Sequence, residues 1–395
     1  MGGRSSEVEV QSKARVSAVH ELVHQAVHTP RKLWVRKALF QIHLWAGILV
    51  SVYVVVIALS GAVLVFEDEL TSAALVMRVG TYDAARVKPI PEVMRGFAQV
   101  YPGARVTNLI APWPVVPAYQ LRVVGVDGRE FAVVADPATG AMQVQPRTWV
   151  NWMYDLHVFL LLGTVYGEQV NGVGAGILLV LAGTGVLLWW QGLKNWTRAL
   201  KMNLRLSWRR INFDAHHAIG IWTLALVAWW SISGVYFGFY RQLVGMVQVV
   251  SPMVGMASPQ VPTVVGSGRV ALETVLAAAQ AASPNARLFS VSDPSLVGTV
   301  VWAQMDRGAP ADFSHRDIVT VDAVHGRVLT VWHYGVNHTL GDWFLWSMHP
   351  LHFGTLWGMA VKVLWFLVGI SLAVLSATGV VMYWNRYLRH KLVRA

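Results

Sequence analysis

Two histidines in matched surroundings are the residues best placed to do chemistry. Gln41-Ile-His-Leu-Trp-Ala-Gly47 leads through an apolar run to Ser60-Gly61, and Asp214-Ala-His-His-Ala-Ile-Gly220 leads through another to Ser233-Gly234. His43 and His216 each stand four residues before a glycine and seventeen before a serine. A second pair of stretches, Tyr154-Asp-Leu-His157 and Met348-His-Pro-Leu-His352, precedes two further apolar runs that carry Thr184-Gly185 and Thr378-Gly379. Neutral imidazole is a good axial ligand for iron, and cofactors in helix bundles are held by side chains from facing helices. His43 with His216, and His157 with His352, could therefore each hold one b-type haem, two per chain. Adjacent helical residues point about 100° apart, so His217 competes with His216 for one place. Counting back from the Thr-Gly pairs sets His157 against position 351, which leaves His349 beside His352 as a candidate.

The elements that must position these residues are membrane helices. The chain has 395 residues, 55% of them apolar, with 19 Trp and a mean hydropathy of +0.46. That is too apolar for a soluble protein of this size. A bilayer core of about 30 Å needs roughly 20 apolar residues per helix, and four runs reach that length. The first lies too far from the N-terminus to be a removed signal peptide.

Basic residues set the orientation. Residues 1–42 hold seven Lys/Arg against three acids, the loop 192–215 six against one, and the tail 386–395 four against none. The long connections are balanced or nearly so. The net charge of +11 thus belongs to one face of a bacterial inner membrane, with both termini cytoplasmic. These charges flank membrane segments and suit anionic lipid headgroups rather than nucleic acid. The chain divides into a cytoplasmic segment 1–42, a spanning helix 43–66, a periplasmic module 67–151, an amphipathic stretch with a second helix at 152–191, a basic loop 192–215, a third helix 216–240, a second module 241–342, an amphipathic stretch with a fourth helix at 343–385, and a cytoplasmic tail 386–395. In this layout His43 and His216 lie at the cytoplasmic side, and His157 and His352 at the outer side. His43 and Ser60 are about 25 Å apart along a helix, so two stacked haems could carry electrons across the bilayer.

Both modules read as α+β. Pro91–Val100 has helical spacing, Val106–Ile110, Tyr119–Val124 and Phe131–Ala135 read as strands, and Asp136-Pro-Ala-Thr-Gly140 as a tight turn. Residues 270–332 repeat this order, with Asp322-Ala-Val-His-Gly326 as the matching turn. The predicted fold class is an α-helical membrane protein: a four-helix transmembrane bundle of two parallel repeats, each with an inserted α+β module.

Other residues carry narrower readings. Glu168 and Lys362 each lie sixteen residues before their Thr-Gly pair, at a depth where an unpaired charge is expensive. They could pair with each other, or Lys362 could hold a haem propionate while Glu168 takes up protons. Gly61, Gly185, Gly234 and Gly379 could thin the helices beside a flat macrocycle or let helices approach closely. Trp113, Tyr119, Arg122, Arg147 and Trp332 could line an acceptor cleft. His20, His24 and His28 would share one helix face, a candidate metal site. The absence of cysteine excludes disulfides, cysteine-ligated clusters and covalent haem attachment. Gly172-Val-Gly-Ala-Gly176 has no strand before it and is no dinucleotide fingerprint.

The His-x-x-x-Gly helix starts, the Ser/Thr-Gly pairs, the Asp-x-x-x-Gly turns and the Pro-Leu-His352-Phe-Gly opening of the fourth helix together resemble the PepSY-associated transmembrane proteins over about residues 33–388. That family includes inner-membrane ferric-siderophore reductases, so the resemblance implies a haem-bearing membrane reductase, PepSY-like modules and a preference for His352. A ferric siderophore or other ferric chelate is then the expected acceptor. A flavoprotein, reduced flavin or quinol is the expected cytoplasmic donor. Two further readings compete: an assembly or regulatory protein that binds polypeptide through its modules, and a quinol-oxidising respiratory cytochrome b.

Overall fold

The computed structural model describes residues 19–21, 23–25, 27, 28, 30, 33–193, 195–253, 268–308 and 314–389. The chain forms two compact units. A helical unit comprises residues 1–62, 155–240 and 364–395, and a sheet unit comprises 63–154 and 241–363.

The helical unit is built on α1 (Trp34–Leu64), α5 (Gly167–Trp189), α6 (Trp208–Gly238) and α10 (Met359–Tyr383). By length and composition α5, α6 and the segment Met359–Leu388 can each cross a membrane, and α1 is a fourth if its two arms count as one span. The helices α1 and α6 begin about nine residues earlier than the hydropathy suggests, because Trp34–Gln41 and Trp208–Phe213 contain few helix breakers. His43 and His216 therefore lie well inside helices rather than at their ends. The arms of α1, Trp34–Leu49 and Ser51–Leu64, meet at 63°. Sharp bends usually mark Pro or Gly/Ser pairs, and Gly47 and Ser51 flank this one. The Ser51 hydroxyl bonds the Ile48 carbonyl at 3.0 Å, and the Ser376 hydroxyl donates to the Ser51 carbonyl at 2.9 Å.

Four helices contribute to one apolar cluster: Val50, Val54 and Ala58 from α1, Val227 from α6, Leu372 and Ala373 from α10, with Ile177, Leu178 and Leu181 of α5 packed against it. Hydrocarbon offers no hydrophobic drive between helices, so close approach by small residues matters. A Cβ on Gly369 would stand 2.9 Å from Ala62, and one on Gly234 2.7 Å from Ala175. Arg36 caps α5 by donating to the Leu187 and Trp190 carbonyls at 3.0 and 2.8 Å and to that of Leu188. This meets both the orphan carbonyls and the negative pole of the helix end.

In the sheet unit α2 (Glu67–Ala73) and α3 (Ile90–Val100) precede β1 (Arg105–Ile110), β2 (Tyr119–Val124), β3 (Glu130–Ala135) and β4 (Met142–Gln145), and α4 (Trp149–Phe159) leads out. On its return the chain forms α7 (Tyr240–Val250), α8 (Leu272–Ala282), β5 (Arg287–Ser292), β6 (Val300–Asp306), β7 (Arg316–Asp322), β8 (Val328–Tyr334) and α9 (Leu340–Phe353). The stretches expected to be two separate modules instead share one antiparallel sheet, in the order β4-β3-β2-β1-β5-β6-β7-β8. The halves meet where β1 pairs with β5, Asn108 opposite Ser292 and Ile110 opposite Ser290. Neither half-sheet has to leave its inner edge bare, which is the physical reason to join them. Each half carries a register shift near this seam, at Val106/Asn108 and at Leu288/Ser290.

One face of the sheet carries α3 and α8. Val93 and Phe97 from the first, and Val275 and Ala279 from the second, pack on Val106, Leu109, Val291 and Val319 in a single core. The Asp-x-x-x-Gly turns form as expected: Asp136 accepts from the Thr139 amide at 2.7 Å and Asp322 from the Val324 amide at 2.8 Å. Gly140 and Gly326 adopt the left-handed conformation at φ 75° and 69°, which suits glycine.

Because the core is continuous, damage to one half should spread to the other. Leu109 is fully buried beside the seam. Leu109→Ala should cost about 2–5 kcal/mol and lower one cooperative unfolding transition of both halves. Limited proteolysis that cleaved the first half while leaving β5–β8 at wild-type resistance would contradict a shared core.

Candidate functional site

The α1 residue His43 faces the α6 residue His216. Their ring centroids are 6.3 Å apart and the planes nearly perpendicular, at 89°. The hydrogen bonds of each ring decide its chemistry. His216 Nδ1 lies 3.1 Å from the Leu375 carbonyl and 3.0 Å from Thr378 Oγ1. A carbonyl can only accept, so Nδ1 carries the proton. The Thr378 hydroxyl gives its own proton to the Leu375 carbonyl at 2.9 Å, and so it too accepts from the ring. His43 is held alike: Nδ1 is 3.0 Å from Thr184 Oγ1, that hydroxyl donates to the Val180 carbonyl at 2.7 Å, and the ring bonds the Leu181 carbonyl. In both rings Nε2 is left as the bare acceptor, the form that binds metal.

His157 repeats the arrangement. Its Nδ1 lies 3.1 Å from the Ile57 carbonyl and 3.2 Å from Ser60 Oγ, whose proton goes to the Val56 carbonyl at 2.7 Å. Burial pushes its pKa down to about 4, so this ring is neutral. Asn171 fixes the backbone on which His157 stands. Its amide donates to the His157 carbonyl at 2.7 Å, and its Oδ1 accepts from Tyr53 at 2.8 Å.

The glycine of each pair makes room for a ring. A Cβ on Gly61 would meet His157 Cε1 at 2.6 Å, one on Gly185 would meet His43 Cε1 at 3.3 Å, and one on Gly379 would meet His216 Cε1 at 3.5 Å. Gly234 instead backs on Ala175. The sequence exposed these pairs by their recurrence, but not that the hydroxyl and the glycine serve an imidazole. Asn171 gave no signal in the sequence at all.

The rival residues separate. His217 turns to its own helix, with Nδ1 3.0 Å from the Phe213 carbonyl and its ring 4.0 Å from that of Phe213. His216, not His217, is the residue across from His43. In the sheet unit His349 and His352 both lie on α9, on either side of Pro350 and Leu351. His349 packs its ring 6.0 Å from Phe353 and 6.4 Å from Tyr334. Burial brings its pKa down to about 4. His352 is half-buried with its ring 5.4 Å from Phe353. His24 and His28 stack at 4.6 Å, but among the described residues no three His, Asp or Glu side chains converge on a metal position.

Lys362 does have a carboxylate partner, and it is Glu69. The ammonium donates to both of its oxygens, at 2.7 and 2.9 Å. Glu168 sits half-buried in the first turn of α5. Of the cleft candidates, Trp113 is buried against Phe289, and Tyr119 is a core residue whose hydroxyl donates to the Lys88 carbonyl at 2.5 Å. Both read as lining residues because aromatic rings suit clefts and cores equally. Arg122 is exposed, Trp332 is half-buried, and Arg147 stacks on Trp152 at 4.9 Å.

Apolar helices long enough to cross a bilayer, carrying held imidazoles, in one chain with an eight-stranded antiparallel sheet, define the class as a membrane protein. Compared with known families, residues 40–386 match the PepSY-associated TM region. The chain belongs to that family. No curated protein matches it.

Glu67, two residues before the Lys362 partner, has its carboxyl pushed up to about 7 by burial and by the charge of Asp68. Its ordinary value is 4.5, so between these values the folded state holds a proton that the unfolded state releases. Stability should therefore fall as pH rises through that window and level off above it. Glu67→Gln should remove the decline, read as flat thermal midpoints between pH 5 and 7 against a falling wild-type series.

Proposed function

We propose that the protein is a di-haem b-type membrane reductase that moves electrons from a cytoplasmic donor to a periplasmic acceptor, a ferric siderophore or other ferric chelate. The observation that carries this reading is the facing pair His43 and His216. The two rings stand 6.3 Å apart on facing helices, and both imidazoles would be available to hold one haem. Among the described residues no three His, Asp or Glu side chains gather there as a metal site. A bare ion such as zinc needs four ligands, whereas a haem would ask the protein for only one or two, which His43 and His216 would supply.

His43 and His216 would hold one haem. His157, with the same fixed tautomer, would hold a second, for which the sequence supplies His352 as the partner. A bound b-type haem supplies a one-electron carrier. The protein's own share is to keep the imidazoles neutral, to orient Nε2 and to exclude water with the apolar helices. Reduction suits the acceptor chemically, since Fe(II) binds hard oxygen ligands far less tightly than Fe(III). One electron therefore frees the metal.

We further read the chain as two parallel repeats forming a four-helix bundle with both termini cytoplasmic in the inner membrane. The equivalent roles of Thr184 and Thr378, and the mirrored strand order about the β1–β5 seam, support this reading. The donor is a flavoprotein, reduced flavin or quinol.

Purified protein should give a pyridine-haemochrome value near two b haems per chain, with a low-spin, six-coordinate spectrum. His43→Ala and His216→Ala should each remove the same haem and leave the other. The dithionite-reduced protein should reoxidise on adding ferric chelate. Haem content near zero in fresh preparations would refute the proposal.

A further inference from the structure

Each held imidazole stands on the same three-part seat. A carbonyl accepts from the ring, through Nδ1 for His157 and His216, the hydroxyl three residues later accepts from Nδ1, and the glycine after that lies under Cε1. Ile57, Ser60 and Gly61 do this for His157, Leu181, Thr184 and Gly185 for His43, and Leu375, Thr378 and Gly379 for His216. Three unrelated uses of one pattern would be a coincidence of helix packing. A single requirement, that Nδ1 carry the proton and the ring hold one rotation, explains all three.

We propose that Thr184, Thr378 and Ser60 are positioning residues that fix the tautomer and donor strength of the metal-binding imidazoles, and that the following glycines set the ring position. The proposal rests on the haem reading above. The mechanism is electronic. An Nδ1 proton donated to an acceptor makes Nε2 a stronger base and steadies the ligand. Here both acceptors are neutral, a carbonyl and a hydroxyl. Removing the hydroxyl leaves the carbonyl, so the ring should stay bound but donate less strongly. Weaker donation disfavours Fe(III), and the reduction potential should rise.

The full-length protein tests this by potentiometric titration and low-temperature electron paramagnetic resonance. Thr184→Val and Thr378→Val, which keep the branched shape, should retain wild-type haem content. They should shift one of the two redox waves to more positive potential and change the g values of that haem. Thr184→Ser should restore both. Valine variants with wild-type potentials and wild-type g values would overturn the role.

The glycines give a graded second arm. Gly61→Ala meets its ring at 2.6 Å, tighter than real Cβ contacts, while Gly185→Ala and Gly379→Ala meet theirs at 3.3 and 3.5 Å. Gly61→Ala should lose one haem or turn it high-spin, and the other two should keep both. Equal effects at all three positions would contradict the seat. Wild-type protein without haem would refute the functional reading instead. The tautomer lock would then be judged by histidine ¹⁵N shifts of the apoprotein, where Thr378→Val must alter a Nδ1-protonated signal that His216→Gln deletes.

Discussion

An imidazole has two ring nitrogens, and the partner of one decides where the proton sits. Much of the packing in the helical unit is arranged around that choice. His43, His157 and His216 all commit Nδ1 to a hydroxyl of a neighbouring helix, and His157 and His216 commit it to a carbonyl there as well. Helix carbonyls are normally occupied by amides four residues on, but each has a second lone pair. A Ser or Thr that bonds back to its own helix turns its oxygen outward as an acceptor. The glycine beside it lowers the helix surface so that a flat ring can reach both.

The bend in α1 answers a related problem. The helix changes direction by 63° without losing its helical assignment, and the Ser376 hydroxyl from another helix donates to the Ser51 carbonyl beside the bend. The bend puts His43 and the Ser60-Gly61 pair on separate arms of one element. The first arm carries the His43 imidazole and the second arm the seat for His157, and each can be aimed on its own.

Period and composition made the apolar helices legible, as did the strands and the two Asp-x-x-x-Gly turns. The pairing of His43 with His216 was legible because the same spacing occurs twice. The joining of the half-sheets was not, because β1 and β5 look like any half-buried strand and nothing local encodes which edge they share. Arg316 and Asp306 entered only the charge tally of a nearly balanced connection, yet they form a buried pair at 2.7 Å, with Arg316 also stacked on Phe289 at 3.7 Å. Burial of a matched pair leaves no trace in a charge tally. The choice between His216 and His217 likewise needed the third dimension, since both sit one helical step from the same glycine.

The β1–β5 seam also sets a schedule. Strands β1 to β4 leave the ribosome long before β5 exists. The roughly 175 residues between β1 and β5 take about 9–35 s at ordinary synthesis rates. Throughout that interval β1 presents a bare edge, while two apolar helices are also being delivered to the membrane. An unguarded edge of this kind recruits other nascent chains. That edge is short, for β1 pairs with β5 over Asn108, Leu109 and Ile110. A short edge offers other chains little to pair with, and so the first half can wait.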